Sequence, residues 1–376
     1  MKALSRRIDK SAPLQSNIPF ARPCGEGVIR RKRSTLADVA KLAGVSAVTV
    51  SRALRQPGMV SAALRDRVDA AVSELAYVPD VAASRLASAR THAIGVIVSS
   101  LTNGVFADYL RALHDTLLPA GFQVVVFSSR YSSTEEEKAI ATLIGQHPEA
   151  IIIAGIDQTP HARRLLERSG VPVIQTFELT DDPIDINVGL SQRQAGYEAT
   201  RFLINQGHRK IGYIAARLDA RAHARMAGYH RAMEEARLDV SGLVSTTPRP
   251  SSMSAGGELI SSILDRRADL EALFCCDDNL ALGALFECQR RSIVVPDRIS
   301  IIGFNDLEFA ACAHPPISSV ATPRYEMGRL ASEIVMTIIE TGERPASRRI
   351  DVGFAIRERG STLPLTRPQS RRVLSE

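Results

Sequence analysis

The chain has 376 residues, 45% hydrophobic and 23% charged, the balance of a soluble globular protein of two or three domains. No apolar run approaches the roughly 18 residues of a membrane-spanning helix, and the N-terminus lacks a signal peptide's apolar stretch, so a cytoplasmic location is expected. The formal net charge of +6 is uneven, with the excess in the first quarter of the chain, the layout of a protein that meets a polyanion at one end.

In chain order, residues 1–33 hold nine Lys/Arg against two Asp/Glu and are broken by Pro13, Pro19, Pro23, Gly25 and Gly27, which reads as a basic, disordered extension. Residues 35–56 then predict two short helices around a tight turn. Thr35 can cap the first, with Asp38 in the capping-box place, and Leu36, Val39 and Ala40 share one face. Gly44 sits where a chain leaving a helix needs positive φ. Ser46 can cap the second helix, in which Val50, Ala53 and Leu54 turn inward. Its other positions, Ala47, Val48, Thr49, Ser51, Arg52 and Arg55, are small, polar or basic. Such a helix is thin enough to enter a major groove and carries groups for base edges and phosphates; a helical hairpin inside a larger core is the other reading. Ser61 opens a third helix through about Leu75, with Leu64, Val68, Ala71, Val72 and Leu75 as its apolar stripe.

Residues 34–79 therefore read as a helix-turn-helix DNA-binding domain. Residues 80–92 contain the Ala-rich stretch 81–88, too short to be a stable helix alone. They read as a hinge helix and linker that folds on DNA. From Ala93 apolar strands alternate with helices: strands near 93–99, 123–128, 150–155, 171–176, 210–216, 272–277 and 300–305, with a turn-rich break at Thr180–Pro183. Alternation at this spacing implies doubly wound α/β lobes with parallel sheets, here two lobes over 93–360 with a cleft between them, followed by a flexible tail, 361–376.

Sequences that would mark an enzyme are missing: no G-x-G-x-x-G, Walker A, G-x-S-x-G or H-E-x-x-H occurs. The five cysteines, Cys24, Cys275, Cys276, Cys288 and Cys312, include no C-x-x-C pair, which argues for reduced thiols rather than a disulfide framework or a zinc site. Asp277-Asp278 resembles a metal pair, but adjacent residues at a strand end point apart. No cofactor and no metal are expected. A sugar-metabolising enzyme or a sugar-binding protein of α/β fold is the alternative function.

TLADVAKLAGVSAVTVSRAL, ELAYVPD, AIGVIVSSLTNGVFADYL, QGHRKIGYIAA, ARMAGYHRAM, CCDDNLALGAL, VPDRISIIGFND and SSVATPRYEMG follow one another in an order that resembles the lactose-repressor (LacI/GalR) family of bacterial transcription regulators. SLTNGVFADYL, LFECQRR and ATPRYEMG look most like its gluconate-repressor branch. The resemblance implies a headpiece followed by two lobes of periplasmic-binding-protein type. It also implies a homodimer on a palindromic double-stranded operator, and a small effector that controls it; it implies no enzyme and no membrane. It places base readers at Ala47, Val48 and Arg52, and a minor-groove wedge at Leu86, flanked by Ala83 and Ala87. Effector contacts fall at Leu101, Thr102, Asn103, Phe106, Arg221, Arg225, Asp277 and Asn305, a set suited to a polyol. Two departures matter. Asp277 stands where Asn is common and Asn305 where Asp is common, and Arg217, Arg221, His223 and Arg225 cluster on the cleft side. Extra cations favour a carboxylate-bearing ligand, a sugar acid such as gluconate.

Overall fold

The computed structural model describes residues 34–78 and 90–363. The predicted basic extension, most of the hinge with Ala83, Leu86 and Ala87, and all but the start of the predicted tail lie outside the described residues. The chain divides into two units, residues 1–89 and 90–376.

The first unit holds three helices: α1 (Leu36–Ala43), α2 (Ala47–Arg55) and α3 (Ala62–Glu74). Thr35 and Asp38 form a complete capping box, each backbone N–H donating to the other's side chain, at 2.8 Å for Thr35 N and 3.3 Å for Asp38 N. Gly44 ends α1 with φ of +66°, and the Arg67 guanidinium from α3 donates to the carbonyl of Ala43 beside it. Val39, Val50 and Val68 are fully buried, one from each helix, and Tyr77 closes this small core. Ser61 precedes α3 but its side chain makes no capping bond.

The second unit has two six-stranded sheets. The first sheet runs β11-β5-β4-β3-β1-β2 and the second β12-β10-β9-β8-β6-β7; every pairing is parallel except β10 with β12. The first sheet's strands are β1 (Ala93–Val98), β2 (Gln123–Ser128), β3 (Ala150–Ala154), β4 (Val173–Glu178), β5 (Ile186–Leu190) and β11 (Arg349–Asp351). The second sheet's are β6 (Ile211–Ala216), β7 (Val244–Thr247), β8 (Ala272–Cys275), β9 (Ser300–Asn305), β10 (Ser318–Ala321) and β12 (Ala355–Arg357). Strands β1, β3, β6 and β9 are buried along their whole length, as strands covered on both faces must be. Ile94, Val96 and Val98 pack to one side of β1 and Ile97 to the other, the period-two alternation of a strand.

Helices cover both faces. α4 (Val105–Leu117), α5 (Ser133–Gly145) and α6 (Pro160–Arg168) belong to the first lobe; α7 (Gln192–Asn205), α8 (Ala220–Glu235), α9 (Met253–Arg266), α10 (Asp278–Arg290) and the short α11 (Glu308–Cys312) to the second. α7 and α8 cross at glycines: a Cβ on Gly196 would lie 2.4 Å from the Arg225 carbonyl, and one on Gly228 would lie 2.1 Å from that of Arg193. α12 (Arg324–Thr341) departs from chain order. It follows β10 of the second lobe yet packs on α4 of the first.

The lobe boundary thus differs from the turn at Thr180–Pro183. Strand β5 lies beyond that turn but still in the first sheet, and the chain first crosses between Leu190 and Gln192. It crosses again after β10 and once more between β11 and β12. The turn signal was real, but it marks a connection between adjacent strands of one sheet.

Candidate functional site

In the first unit, the Ser46 hydroxyl caps α2 by accepting from Thr49 N at 3.1 Å. Capping fixes the helix start, and burial of Val50 and Ala53 fixes its rotation. Ala47, Val48 and Arg52 are left exposed, Val48 by 68%, with Thr49 and Ser51 half-buried between them and Arg55 closing the helix. An exposed Val on a helix with so few bulky neighbours suits contact with a thymine methyl group, and an adjacent guanidinium suits guanine. Thr35 is also exposed, its hydroxyl donating to Asp38 at 2.7 Å.

In the second unit, a cavity of about 590 Å³ opens between the lobes. From the first lobe, the Ser100 hydroxyl accepts from the N–H groups of Thr102 and Asn103 at 3.1 and 3.2 Å and so shapes the entry to α4. Asn103 accepts from Val105 N at 3.1 Å and donates its amide to the Tyr131 hydroxyl at 3.0 Å. Phe106, on the first turn of α4, supplies an apolar face set edge-on to Phe177 at 5.1 Å. Thr102, Asn103, Phe106, Tyr131 and Phe177 all line the cavity.

From the second lobe come three arginines. Arg225 is 8% exposed; its Nε donates to Gln192 Oε1 and one terminal nitrogen to the Cys276 carbonyl, each at 2.7 Å, with the guanidinium 3.8 Å over the Phe304 ring. Arg221 pairs with Asp219 at 3.2 Å and donates across the cleft to Ser99 Oγ at 3.1 Å. Arg217 stacks over Tyr131 of the opposite lobe at 4.2 Å. Burial opposes ionisation of Asp219, yet the Arg221 charge and the Ala222 N–H hold its carboxyl below the ordinary range. Asp277 caps α10 by accepting from Leu280 N at 3.1 Å, and burial pushes its carboxyl up. Asn305 ends β9 at φ of +99°, 3% exposed, and reaches the cavity wall.

Of the effector contacts expected from the sequence, seven line one cavity: Thr102, Asn103, Phe106, Arg221, Arg225, Asp277 and Asn305. Leu101 does not. It is 61% exposed and outside the wall, because the turn held by Ser100 directs its neighbours inward and leaves it in solvent. His223 is likewise exposed on α8 and outside the wall. The structure adds Tyr131, Phe177, Gln192, Asp219, Asn279 and Thr322, which lie at strand ends or first helical turns with nothing in their local sequence to single them out. Asp277 and Asp278 do point apart: Asp278 is fully buried, accepting from Leu307 N and Ser319 Oγ at 2.7 Å each. Among the described residues no group of side chains could hold a metal, the four cysteines are free, and no helix is long and apolar enough to cross a membrane.

Residues 35–80 match the bacterial regulatory proteins of the lacI family, and residues 200–362 match a periplasmic binding protein-like domain. The HTH-type transcriptional regulator GntR of Pseudomonas aeruginosa is 40% identical over 331 residues, covering 88% of this chain and 96% of that one. This chain belongs to the lacI family. A lacI-family regulator from Silicibacter pomeroyi has the same fold, with a TM-score of 0.83 and 33% identity over 88% of this chain and 100% of that one. The lac repressor dimer bound to operator follows at a TM-score of 0.77 and 25% identity, again over 88% and 100%. As a lacI-family member, the protein is a DNA-binding transcriptional regulator and not an enzyme. The expected fold, a helix-turn-helix headpiece with two α/β lobes of periplasmic-binding-protein type, is the one observed.

Proposed function

We propose that this lacI-family regulator is a cytoplasmic homodimeric repressor that binds a palindromic operator and releases or holds it according to a sugar acid in the interlobe cavity. One observation carries the effector class. Three arginines line the cavity against two carboxylates, and one of those carboxylates, Asp219, already belongs to Arg221. The remaining wall of hydroxyls, amides and aromatic faces suits a polyol backbone, and the surplus positive charge asks for an anion on the ligand. Gluconate meets both demands, and the GntR regulator of Pseudomonas aeruginosa is the kind of relative that fits it.

In the headpiece, Ala47, Val48 and Arg52 read bases, and Thr35, Ser46, Thr49, Ser51 and Arg55 contact the backbone around them. Leu86, with Ala83 and Ala87 beside it, is assigned the minor-groove wedge at the operator centre by family resemblance. Two-fold symmetry of the dimer sets the symmetry of the site.

Calorimetry with gluconate and glucose tests the effector class. Gluconate binds at least about tenfold more tightly than glucose, because the neutral aldose leaves the cavity's cations without a partner. Arg225→Ala abolishes the response to gluconate but keeps operator binding, since the reading helix lies in the other unit. Glucose binding as tightly as gluconate would refute the sugar-acid assignment. A gel shift with the gene's own upstream DNA tests the regulator itself: no retardation at low salt refutes operator binding there.

A further inference from the structure

We propose that Arg217 is the residue that grips the effector's carboxylate, and that it closes over the ligand against Tyr131 from the opposite lobe. The inference rests on the sugar-acid reading and names the subsite that recognises the acid end.

The three cavity arginines are not equivalent. Arg225 has its Nε and one terminal nitrogen committed to Gln192 and the Cys276 carbonyl, so one terminal nitrogen remains for a ligand. Arg221 is neutralised by Asp219 and bonded to Ser99. Among the described residues, no carboxylate lies within ion-pair distance of Arg217 and its side chain donates to no protein acceptor. Its whole guanidinium fork is open, and only an open fork can make the two parallel N–H···O bonds that recognise a carboxylate.

The geometry holds Arg217 in readiness. It follows β6 with φ of +58°, and its N–H donates to the Thr247 carbonyl at 2.8 Å, which pins the turn. Tyr131, which faces it after β2, also has positive φ, +59°. Each side of the cleft thus presents its partner from a turn fixed in the left-handed region, Arg217 on one lobe and Tyr131 on the other. Stacking on the Tyr131 face occupies the flat side of the guanidinium and leaves its N–H edges free. The Tyr131 hydroxyl in turn accepts from Asn103, so the grip on the acid end is joined to an amide at the polyol end.

The test compares D-gluconate with D-glucitol, which replaces the carboxylate by CH2OH, on the full-length protein by calorimetry. Wild type is expected to bind gluconate at least about tenfold more tightly, the discrimination of a site left with an unpaired cation by the neutral analogue. Arg217→Gln should lose that factor for gluconate and keep its affinity for glucitol within about twofold, bringing the ratio near one. Arg217→Lys, which keeps the charge and loses the fork, should retain part of the discrimination. Both variants should retain operator binding. Equal losses for both ligands would make Arg217 a mere wall of the cavity and overturn the inference, as would an undiminished ratio in Arg217→Gln. Wild type that prefers glucitol, or binds no gluconate, would overturn the sugar-acid reading itself.

Discussion

Asp108 on α4 and Arg324 at the head of α12 stand 216 residues apart and form an ion pair at 3.1 Å. Arg324 is almost wholly buried and Asp108 is half exposed. The same guanidinium donates to the Asn305 carbonyl and, at 3.1 Å, to the Thr322 hydroxyl. One side chain therefore ties the helix that carries Phe106 to the strand end that carries Asn305, two parts of the cavity wall.

Arg324→Met should accordingly loosen both. Asp108 can return to water, so the main loss is the buried Asn305 carbonyl left without its donor, about 1–3 kcal/mol of stability. Urea unfolding measures that loss, and calorimetry should show weaker gluconate binding in the same variant. Unchanged values in both measurements would contradict the tie.

Gly196→Ala should disturb the effector site from behind. The added Cβ would sit 2.4 Å from the Arg225 carbonyl and 2.8 Å from its Cα, both backbone atoms that must move. Overpacking of this kind costs about 1–3 kcal/mol. Because the displaced backbone belongs to Arg225, ligand affinity should fall along with the melting temperature, while operator binding at low temperature stays intact.

Asp278 gives stability a pH slope. Burial drives its carboxyl up to about 7, against donation from the Leu307 N–H and the Ser319 hydroxyl. The unfolded chain releases this proton near pH 4, so from about pH 4 to 7 the native state binds more protons than the unfolded one. The stability this group contributes is present below that window and is lost as pH rises through it. Asp278→Asn, which cannot ionise, should lose less stability than wild type between pH 4.5 and 7.5, whatever its baseline; urea midpoints at both pH values report the difference.

Arg52→Ala should weaken binding to the cognate operator by roughly 1–3 kcal/mol and relax preference at one base pair per half-site. A uniform loss on all DNA sequences, with a shallower salt dependence, would make Arg52 a phosphate contact instead. Fluorescence anisotropy against operator variants separates the two.

The headpiece was the most legible part of the sequence, because each of its signals is local: Thr35 with Asp38, Gly44 and Ser46 act within four residues of where they stand. The central strands were legible for the same reason, as runs of Val, Ile and Ala fully enclosed by helices. Strands β7 and β10, Val-Ser-Thr-Thr and Ser-Ser-Val-Ala, were not, since short hydroxyl-rich segments owe their strand state to the neighbour they pair with. Resemblance placed Arg225 and Asn305 at the cavity, but Tyr131 and Phe177 reach it through tertiary packing that no local spacing encodes. Leu101 stands outside the cavity lining for the opposite reason: its neighbours on both sides line the cavity, and a turn reverses direction within one residue.

The interleaving of the two lobes sets what can be cut. Because the chain passes between them three times, neither sheet is complete until the last described strands are made: β11 covers the β5 edge and β12 covers the β10 edge. A product ending after α12 would bare the edges of both sheets at once, each a row of unpaired N–H and C=O groups ready to template another chain. Loss of fewer than forty C-terminal residues would then convert a regulator into an aggregating fragment, although every headpiece and cavity residue discussed above would still be present.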